Sequence, residues 1–380
     1  MKVFYWSPFF ANIATIRAVL NSAECLKKYQ KTNKYDVSII NAIGEWDDYK
    51  KISTNKVNFK DLSEKNLTQV IPKGGFLKSR LSYIFIFIVN IRKLLNLINN
   101  EKPDYLIIHL ITSLPIFLSP FFNKKTKIIL RLSGLPKLNI FRSLFWKLYT
   151  KKIYMVTCPT KSTLKKILES KIFNKDKICI LKDPIISIKN IKKYSNEKIN
   201  TEITKQKYIL GIGRLTRQKN FELLLNFFYK LNRKYPEYKL YILGDGENRT
   251  KLIDMIDGYK LQTKAFLLGH QSNVFKYLKY ADCFILSSLW EDPGFVLAEA
   301  SAMNTNIISS DCPNGPKEII VDKDYLFLNG SSESLLQKFE AFKRKTTLEL
   351  LKQKINTKKK IKFYTSYQHF KKLDYLLSNK

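Results

Sequence analysis

The sequence predicts an α/β fold in which two Rossmann-like domains follow one another along the chain. Patterns of strand and helix alternate over most of the 380 residues, and the strand patterns are continuous apolar runs. Such runs are typical of a parallel sheet that is covered by helices on both faces. A polar, lysine-rich stretch at residues 188–204 separates two such series, and a chain of this length can bury two cores. We therefore expect two domains that face each other across a ligand-binding cleft.

The first domain is predicted over residues 1–187. Each of its helix patterns lies between two strand patterns, as in the crossover connections of a parallel sheet. The strand patterns are at 2–6, 36–40, 105–109, 127–132 and 153–157, and the helix patterns are at 13–29, 81–98 and 140–149.

The second domain is predicted over residues 205–362, after a linker at 188–204. It repeats the same alternation, with strand patterns at 208–213, 238–243, 265–268, 282–286 and 306–309. Residues 363–380 form a separate terminal segment, in which the amphipathic pattern at 363–377 predicts a helix.

The charge of the chain is strongly positive. Lys and Arg number 67 against 32 Asp and Glu, which gives a formal net charge of +35. Such a field favours anionic partners, namely nucleic acid, anionic lipid or a phosphorylated substrate. Compositional drift is the alternative explanation, since the basic residues are spread along the whole chain.

Cysteine and histidine usage gives no sign of a metal site. The five cysteines are far apart and without metal-ligand spacing, and there are three histidines. This usage predicts reduced thiols in a cytosolic protein. The first residues lack the pattern of a signal peptide, and the longest apolar run, at 81–89, is too short to span a bilayer. We expect a cytoplasmic protein. A peripheral location on the inner face of the plasma membrane is an open alternative.

Two carboxylates eight positions apart mark the segment 287–310. Glu291 lies in a loop before Pro293 and Gly294, which fit the start of a helix, and Glu299 lies inside that helix. The helix is apolar on almost every side and is predicted to be buried, so its carboxylate needs a partner. A bound polyol is one candidate. An ion pair for Glu299 and a solvated Glu291 are the alternative.

A glycine-rich turn after the first strand of the second domain carries two cations. Gly213 and Arg214 follow the strand, and Lys219 and Asn220 precede a helix. Asn220 is predicted as the N-cap of that helix, whose free N–H groups favour an anion. Fixed cations at this turn could stabilise a leaving diphosphate, although exposed cations are also expected in so basic a protein.

The two motifs together resemble glycosyltransferase family 4, whose members are retaining, metal-independent sugar transferases of the GT-B architecture. The resemblance implies that Glu291 binds hydroxyls of the donor sugar and that Glu299 binds the ribose of the nucleotide. It implies that Arg214 and Lys219 hold the diphosphate. It also suggests that the terminal helix crosses back to the first domain.

Further donor-binding positions follow from the same resemblance. Gly213 lies at the diphosphate turn, and Gly294, Phe295 and Val296 form the start of the helix that carries Glu299. His270 follows a strand and Gly269, at the place where the backbone of family members meets the base. A surface-loop histidine is the alternative for this position.

The acceptor side of the resemblance rests on Asn12, His109 and Arg131. Asn12 lies in the loop after the first strand, where many family members have a Gly-Gly loop and this chain has bulkier residues. His109 ends a strand at the edge where ligands bind, and relatives use a histidine near here to touch the donor sugar or to assist the acceptor. A histidine satisfied by backbone carbonyls is the alternative. Arg131 is expected to meet either an acceptor phosphate or a structural carboxylate.

The sequence thus predicts a retaining hexosyltransferase that moves a sugar from a nucleotide sugar, with a UDP-sugar favoured, to a glycan or lipid-linked glycan. The loop at 7–15 resembles a subset of bacterial transferases for surface polysaccharide and lipopolysaccharide. No cofactor, metal or nucleic acid is expected, and an anionic membrane surface is a further candidate partner. A Rossmann-type oxidoreductase is disfavoured because no Gly-x-Gly-x-x-Gly turn follows the first strand. A nucleic-acid-binding protein is suggested by charge alone. Aromatic residues interleaved with basic ones are expected in such a protein.

Overall fold

The structure is a computed structural model that describes residues 1–10, 14–53, 57–72 and 76–378. Its internal contacts divide the chain into two compact units. The first contains Met1–Pro184 and Ser366–Lys380, and the second contains Ile185–Thr365.

Strands and helices alternate through both units. The strands are β1 Lys2–Trp6, β2 Asp36–Asn41, β3 Asn58–Asp61, β4 Tyr105–Ile108, β5 Lys127–Arg131, β6 Ile153–Cys158, β7 Ile178–Ile180, β8 Lys207–Ile212, β9 Tyr238–Leu243, β10 Ala265–Leu267, β11 Cys283–Leu286, β12 Ile307–Ser310 and β13 Leu326–Phe327. The helices are α1 Ala14–Tyr29, α2 Asp47–Ile52, α3 Phe76–Glu101, α4 Ser113–Leu118, α5 Ile140–Tyr149, α6 Lys161–Glu169, α7 Ile188–Ser195, α8 Thr201–Thr204, α9 Phe221–Lys234, α10 Arg249–Gly258, α11 Phe275–Tyr280, α12 Phe295–Ala302, α13 Pro316–Ile319, α14 Ser332–Lys343, α15 Thr347–Ile361 and α16 Ser366–Ser378. Short 3-10 turns lie at Ser119–Phe121, Thr150–Lys152, Lys175–Lys177, Lys323–Tyr325 and Lys362–Tyr364.

Each unit is built on one parallel sheet. In the described residues the first sheet has the order β3-β2-β1-β4-β5-β6-β7 and the second has the order β10-β9-β8-β11-β12-β13. The strand order reverses between β1 and β4 in the first sheet and between β8 and β11 in the second. Ligands of open α/β sheets bind outside the carboxyl ends of the strands at such a reversal. The predicted class of two Rossmann-like α/β domains is confirmed.

Alternate residues of the central strands enter different cores, which explains their continuous apolar sequence. Leu106 and Ile108 of β4 belong to one buried cluster of the first unit, and Tyr105 and Ile107 belong to the cluster on the other face of the sheet. Because both faces are covered, an apolar residue is favoured at every position. Strands β3 and β7 were not predicted, since β3 is a polar edge strand with the sequence NFKD and β7 has only three residues.

The stretch predicted as a linker, residues 188–204, is structured. It forms α7 and α8, which are capped at their N-termini by the side chains of Ser187 and Asn200, and it clusters with the second unit. Asn273 donates a hydrogen bond to the carbonyl of Tyr194 over 2.8 Å and fastens α7 to that unit. The stretch predicted as a linker without clear periodicity therefore contains two capped helices, and its high lysine content concealed the amphipathic pattern of α7.

The terminal helix α16 packs against α1 within the first unit. It begins at Ser366 rather than at the predicted residue 363. Lys34 and Asp374 form an ion pair of 2.7 Å, and Tyr105 Oη donates to the carbonyl of Leu377 over 2.8 Å. On the inner side of α16, His369 is buried and lies 2.8 Å from Ser22 Oγ through Nε2 and 2.6 Å from the carbonyl of Lys182 through Nδ1. These bonds anchor the helix.

Acidification is expected to destabilise the first unit through His369. Burial, reinforced by the charge of Arg131, lowers the pKa of His369 to about 3, whereas an unfolded histidine has a pKa of about 6.5. Between these values the unfolded chain binds the proton and the folded chain does not, so the free energy of unfolding falls as pH decreases, by up to about 1.4 kcal/mol per pH unit. Urea unfolding at neutral and mildly acidic pH measures the slope. His369→Gln should reduce it, and an equal slope in this variant would exclude the histidine as its source.

Helix α3 corrects the prediction drawn from the apolar run at 81–89. The helix extends over Phe76–Glu101, and its part Arg80–Glu101 is long and apolar enough to cross a membrane by length and composition alone. A single helix of this kind is weak evidence for a membrane span. Here Ile86, Leu94 and Ile98 are fully buried in the core beside the first sheet, so α3 packs as a helix of the domain.

Candidate functional site

Three loops meet at the carboxyl edge of the second sheet. They are 213–220 after β8, 287–294 after β11 and 311–315 after β12. Strands β8 and β11 are parallel neighbours at the point where the strand order reverses, and β12 pairs with β11. The sequence-predicted donor residues of the second unit lie on the first two loops, on the start of α12 and after β10.

The structure brings Lys219 and Glu291 into direct contact. Lys219 Nζ lies 2.6 Å from Glu291 Oε1, and the two side chains are 16% and 5% exposed. Ser288 Oγ also donates to Oε1. Both of these bonds go to Oε1, and neither of them uses the lone pairs of Oε2. An ammonium group carries three N–H donors, and the bond to Glu291 uses only one of them.

Backbone and serine hydrogen bonds fix the loop that carries Glu291. The N–H of Leu289 donates to the carbonyl of Gln218 over 2.8 Å, and the N–H of Glu291 donates to the carbonyl of Pro313 over 3.1 Å. Ser287 Oγ donates to the carbonyl of Lys219 over 2.8 Å. The loop is thus held from both neighbouring loops, which preorganises the carboxylate.

Sequence reasoning did not select the serines of this site. Ser287 and Ser288 directly follow β11, and Ser310 is the last residue of β12. All three are buried, and Ser310 Oγ donates to the carbonyl of Ser288 over 2.6 Å. Their signal in the sequence is a pair of serines at the end of each apolar run, where a polar group reaches the ligand-binding edge of a sheet.

Helix α12 begins at a glycine with the left-handed backbone expected of it. Gly294 has φ +83° and is the residue before the helix, and Phe295 and Val296 form its half-buried first turn. The opposing loop also needs a glycine, because a Cβ at Gly315 would lie 2.1 Å from the carbonyl oxygen of Pro293. The N–H groups of a first helical turn have no partner within the helix and favour an anion.

Glu299 lies within α12, as predicted, but its surroundings differ from the expectation. The helix buries Leu297, Ala298, Ala300 and Ser301, whereas Glu299 is only half-buried. The prediction of a helix buried on almost every side was wrong, because the side that carries Glu299 is partly open. A carboxylate in this position keeps part of its hydration.

The other residues of the loop 213–220 differ in exposure and in backbone conformation. Arg214 is exposed. Gly213 makes room for Lys219, since a Cβ at this position would lie 3.0 Å from Lys219 Cδ. Asn220 precedes α9 as predicted, but it adopts the left-handed conformation with φ +48° and its side chain makes no cap hydrogen bond. The capping part of the prediction was wrong; asparagine is one of the few side chains that tolerate this backbone.

His270 is exposed and follows Gly269. The carbonyl of Gly269 accepts a hydrogen bond of 2.7 Å from the N–H of Gly244, the residue after β9. The loops after β9 and β10 are therefore joined at the same edge of the second sheet.

In the first unit, Arg131 is a buried structural residue. Its guanidinium donates through Nη2 to Asp183, and the two side chains are 2% and 3% exposed. Arg131 Nε donates to His109 Nε2 over 3.1 Å. Of the two partners expected for Arg131, the structure shows the carboxylate; the acceptor-phosphate role is not favoured. The sequence did not single out Asp183.

The hydrogen bonds of His109 determine its protonation. Burial, with the charge of Arg131 beside it, holds the pKa of His109 well below its usual value, so the ring is neutral. Since Nε2 accepts from Arg131, the ring proton is on Nδ1, which lies 3.1 Å from Ser133 Oγ. His109 is thus held by side chains rather than by backbone carbonyls, with Ser133 Oγ as the acceptor of the Nδ1–H bond.

Asn12, predicted on the acceptor side, lies outside the described residues. Within the described ranges, no group of three or more His, Cys, Asp or Glu side chains is placed to hold a metal ion, and the five cysteines are free thiols.

Comparison with known families and proteins finds similarity to glycosyltransferases. Residues 193–361 match the family described as Glycosyl transferases group 1. An uncharacterised glycosyltransferase of Methanocaldococcus jannaschii is 34% identical over 264 residues, which cover 64% of each chain. The N-acetylgalactosamine-N,N'-diacetylbacillosaminyl-diphospho-undecaprenol 4-alpha-N-acetylgalactosaminyltransferase of Campylobacter jejuni is 28% identical over 212 residues, which cover 54% of this chain and 56% of that protein. The chain thus aligns with less than two thirds of the length of these relatives.

Solved structures extend the likeness to the whole chain at the level of fold. The crystal structure of HepE from Anabaena in complex with UDP has a TM-score of 0.76 and 12% identity, and the match covers 100% of both chains. The predicted fold class is confirmed here too: two parallel-sheet α/β domains, the GT-B fold of these structural neighbours.

Proposed function

We propose that this protein is a retaining glycosyltransferase of family 4 that transfers a hexose from a UDP-sugar to a hydroxyl of a glycan or lipid-linked glycan. The observation that carries the proposal is the contact of Lys219 with Glu291 at the strand-order reversal of the second sheet. A cation suits a phosphate, and a carboxylate suits sugar hydroxyls. Here they come from different loops and share one preorganised site.

The diphosphate of the donor is assigned to Lys219 and Arg214. Lys219 has N–H donors beyond the one bound to Glu291, and Arg214 is exposed on the same turn. Negative charge grows on the diphosphate as the glycosidic bond breaks, and fixed cations stabilise it. The first turn of α12, at Gly294, Phe295 and Val296, adds N–H groups for the same charge.

The sugar and the nucleoside are assigned to the two glutamates. Glu291 Oε2 is assigned to a sugar hydroxyl, and its position is fixed by Ser288 and Lys219 through Oε1. Glu299 is assigned to the ribose and the backbone beside His270 to the base. In the retaining reaction the departing phosphate oxygen takes the proton of the acceptor hydroxyl on the same face of the sugar, so neither glutamate is needed as a covalent nucleophile.

The acceptor and the setting of the reaction follow from the relatives. The Campylobacter jejuni relative is named for an undecaprenol-linked substrate. We assign this chain to the same class of reaction, the extension of a lipid-linked or surface glycan by a cytoplasmic enzyme. A panel of sugar nucleotides, tested by thermal shift and then by mass spectrometry of the products, examines the proposal. Transfer or hydrolysis of one UDP-sugar is expected, and a panel without any bound or cleaved sugar nucleotide would contradict it.

Glu299→Ala is expected to weaken UDP binding by about 10- to 100-fold, since a hydrogen bond to a charged group is lost from the ribose. Calorimetric titration with UDP measures the effect. Glu340→Ala is a matched control, because Glu340 is a half-buried glutamate on α14 of the same unit and pairs with Lys234 over 2.6 Å. An unchanged UDP affinity in Glu299→Ala would remove this residue from the nucleotide site.

A further inference from the structure

Helix α5 turns a stripe of large apolar side chains toward solvent. Ile140, Phe141, Leu144 and Leu148 are 75%, 82%, 60% and 74% exposed. Positions 140, 144 and 148 are four residues apart and lie on one face of a helix, with 141 beside them. The opposite face is held by Trp146, which is buried in the core of the first unit. The stripe is therefore not a packing face of the domain.

Helix α3 adds a second exposed apolar stripe on the same side of the sheet. Leu81, Ile84 and Ile88 are each more than half exposed. Ile86 of α3 and Trp146 of α5 belong to the same buried cluster, so both helices cover one face of the first sheet. Clusters of exposed large apolar side chains mark candidate interaction sites.

All charged residues near α5 in the sequence are basic. Residues 105–168 contain no Asp or Glu. They contain twelve basic residues, namely Lys124, Lys125, Lys127, Arg131, Lys137, Arg142, Lys147, Lys151, Lys152, Lys161, Lys165 and Lys166. Those on α5 and at its two ends, residues 137, 142, 147, 151 and 152, are exposed. The apolar stripe is thus bordered by positive charge with no acid nearby in the sequence.

We propose that α5, with the outward face of α3, docks this protein on an anionic lipid bilayer. A helix with large apolar side chains on one face and Lys or Arg beside them lies in the membrane interface, and its lysine stems reach the lipid phosphates. The inference goes beyond the proposed transfer reaction and does not depend on it, because it concerns a surface of the first unit that carries none of the proposed donor residues.

Charge complementarity selects a lipid surface over the other possible occupants. In a two-fold dimer the same surface meets itself, and because every charged residue of α5 is basic, such a dimer would bring like charges toward one another. A nucleic acid would match the charge, but it would leave aliphatic side chains such as Ile140, Leu144 and Leu148 without a use. Anionic lipid satisfies both the charge and the apolar stripe.

Vesicle flotation with the full-length protein tests the proposal. Vesicles of phosphatidylcholine alone are compared with vesicles that also contain phosphatidylglycerol. Binding to the anionic vesicles is expected, reduced but not abolished by high salt. Absence of binding to the anionic vesicles would overturn the proposal.

Two variants of the surface separate its apolar and charged parts. The triple variant F141S/L144S/L148S should lose binding by at least about tenfold, and K147E/K151E/K152E should lose it by about 100-fold or more. The changed side chains are exposed, so folding is expected to be retained, and circular dichroism checks it. UDP titration of both variants should be unchanged, which distinguishes failure of the membrane proposal from failure of the transferase proposal.

Matched controls come from α15 of the second unit. L348S/L351S removes two exposed leucines, and K358E/K359E/K360E makes the same change of net charge at exposed positions. Both should bind anionic vesicles within about twofold of the wild type. An equal loss in the lysine control and the α5 charge variant would overturn the assignment to α5. A concentration-dependent dimer in sedimentation that disappears in F141S/L144S/L148S, with no vesicle binding, would assign the surface to a second copy instead.

Discussion

Replacement of Lys219 by alanine is expected to lower turnover of the UDP-sugar by about 10²–10³-fold, the usual effect of removing one fixed donor from a developing negative charge. The ammonium of Lys219 is held at the strand-order reversal by Glu291, 2.6 Å away, and its other donors are available to the diphosphate. Mass-spectrometric measurement of UDP release, with and without acceptor, gives the rate.

Two comparisons make this result specific. Lys230→Ala is the matched control, since Lys230 lies on α9, which directly follows the turn, and pairs with Glu333; its turnover should equal that of the wild type. Lys219→Ala also leaves Glu291 nearly buried without its cation, which could lower stability. The double variant Lys219→Ala/Glu291→Gln removes that charge and should remain as inactive as the single variant. Turnover of Lys219→Ala within twofold of the wild type would take Lys219 out of the diphosphate site.

Replacement of Asp183 by alanine is expected to reduce the free energy of unfolding by about 3–5 kcal/mol, because it leaves the guanidinium of Arg131 buried without a counter-charge. The side chains of Arg131 and Asp183 are 2% and 3% exposed, so water cannot replace the lost partner. Urea unfolding of the wild type and the variant measures the difference.

The double variant Arg131→Met/Asp183→Leu is the control for this buried pair. Apolar residues in place of both charges remove the desolvation cost along with the attraction, and most of the lost stability should return. A loss below about 1 kcal/mol in Asp183→Ala would show that the pair is hydrated. The double variant also tests the tautomer assigned to His109, since it removes the Arg131 N–H donor that fixes Nε2 of His109 as an acceptor.

The fold could be predicted from the sequence because the central strands of both sheets are buried on both faces. The strands β1, β4, β5, β6, β8, β9 and β11 are continuous apolar runs that could be recognised without structure. The short edge strands β3 and β7 carried no such pattern. Residues 188–204 were misread because their lysines face solvent from an amphipathic helix, and lysine content alone does not distinguish such a helix from a loop.

The types of residue in the candidate site could be predicted from the sequence, but the contacts between them could not. Lys219 and Glu291 each follow a strand, and parallel strands end at one edge, but their 2.6 Å contact across 72 residues depends on β8 and β11 being neighbours. Asp183 was missed because a lone acid carries no pattern, and its importance comes from burial beside Arg131. The outward direction of the apolar stripe on α5 was equally invisible, since composition does not say which side of a helix meets the sheet.

The most direct test of the central claim is a crystal structure of this protein with its UDP-sugar bound. The account predicts the diphosphate within hydrogen-bonding distance of Lys219 Nζ and the Arg214 guanidinium, with a sugar hydroxyl on Glu291 Oε2. A nucleotide sugar bound away from the carboxyl edge of the second sheet, with the Lys219–Glu291 pair untouched, would contradict it.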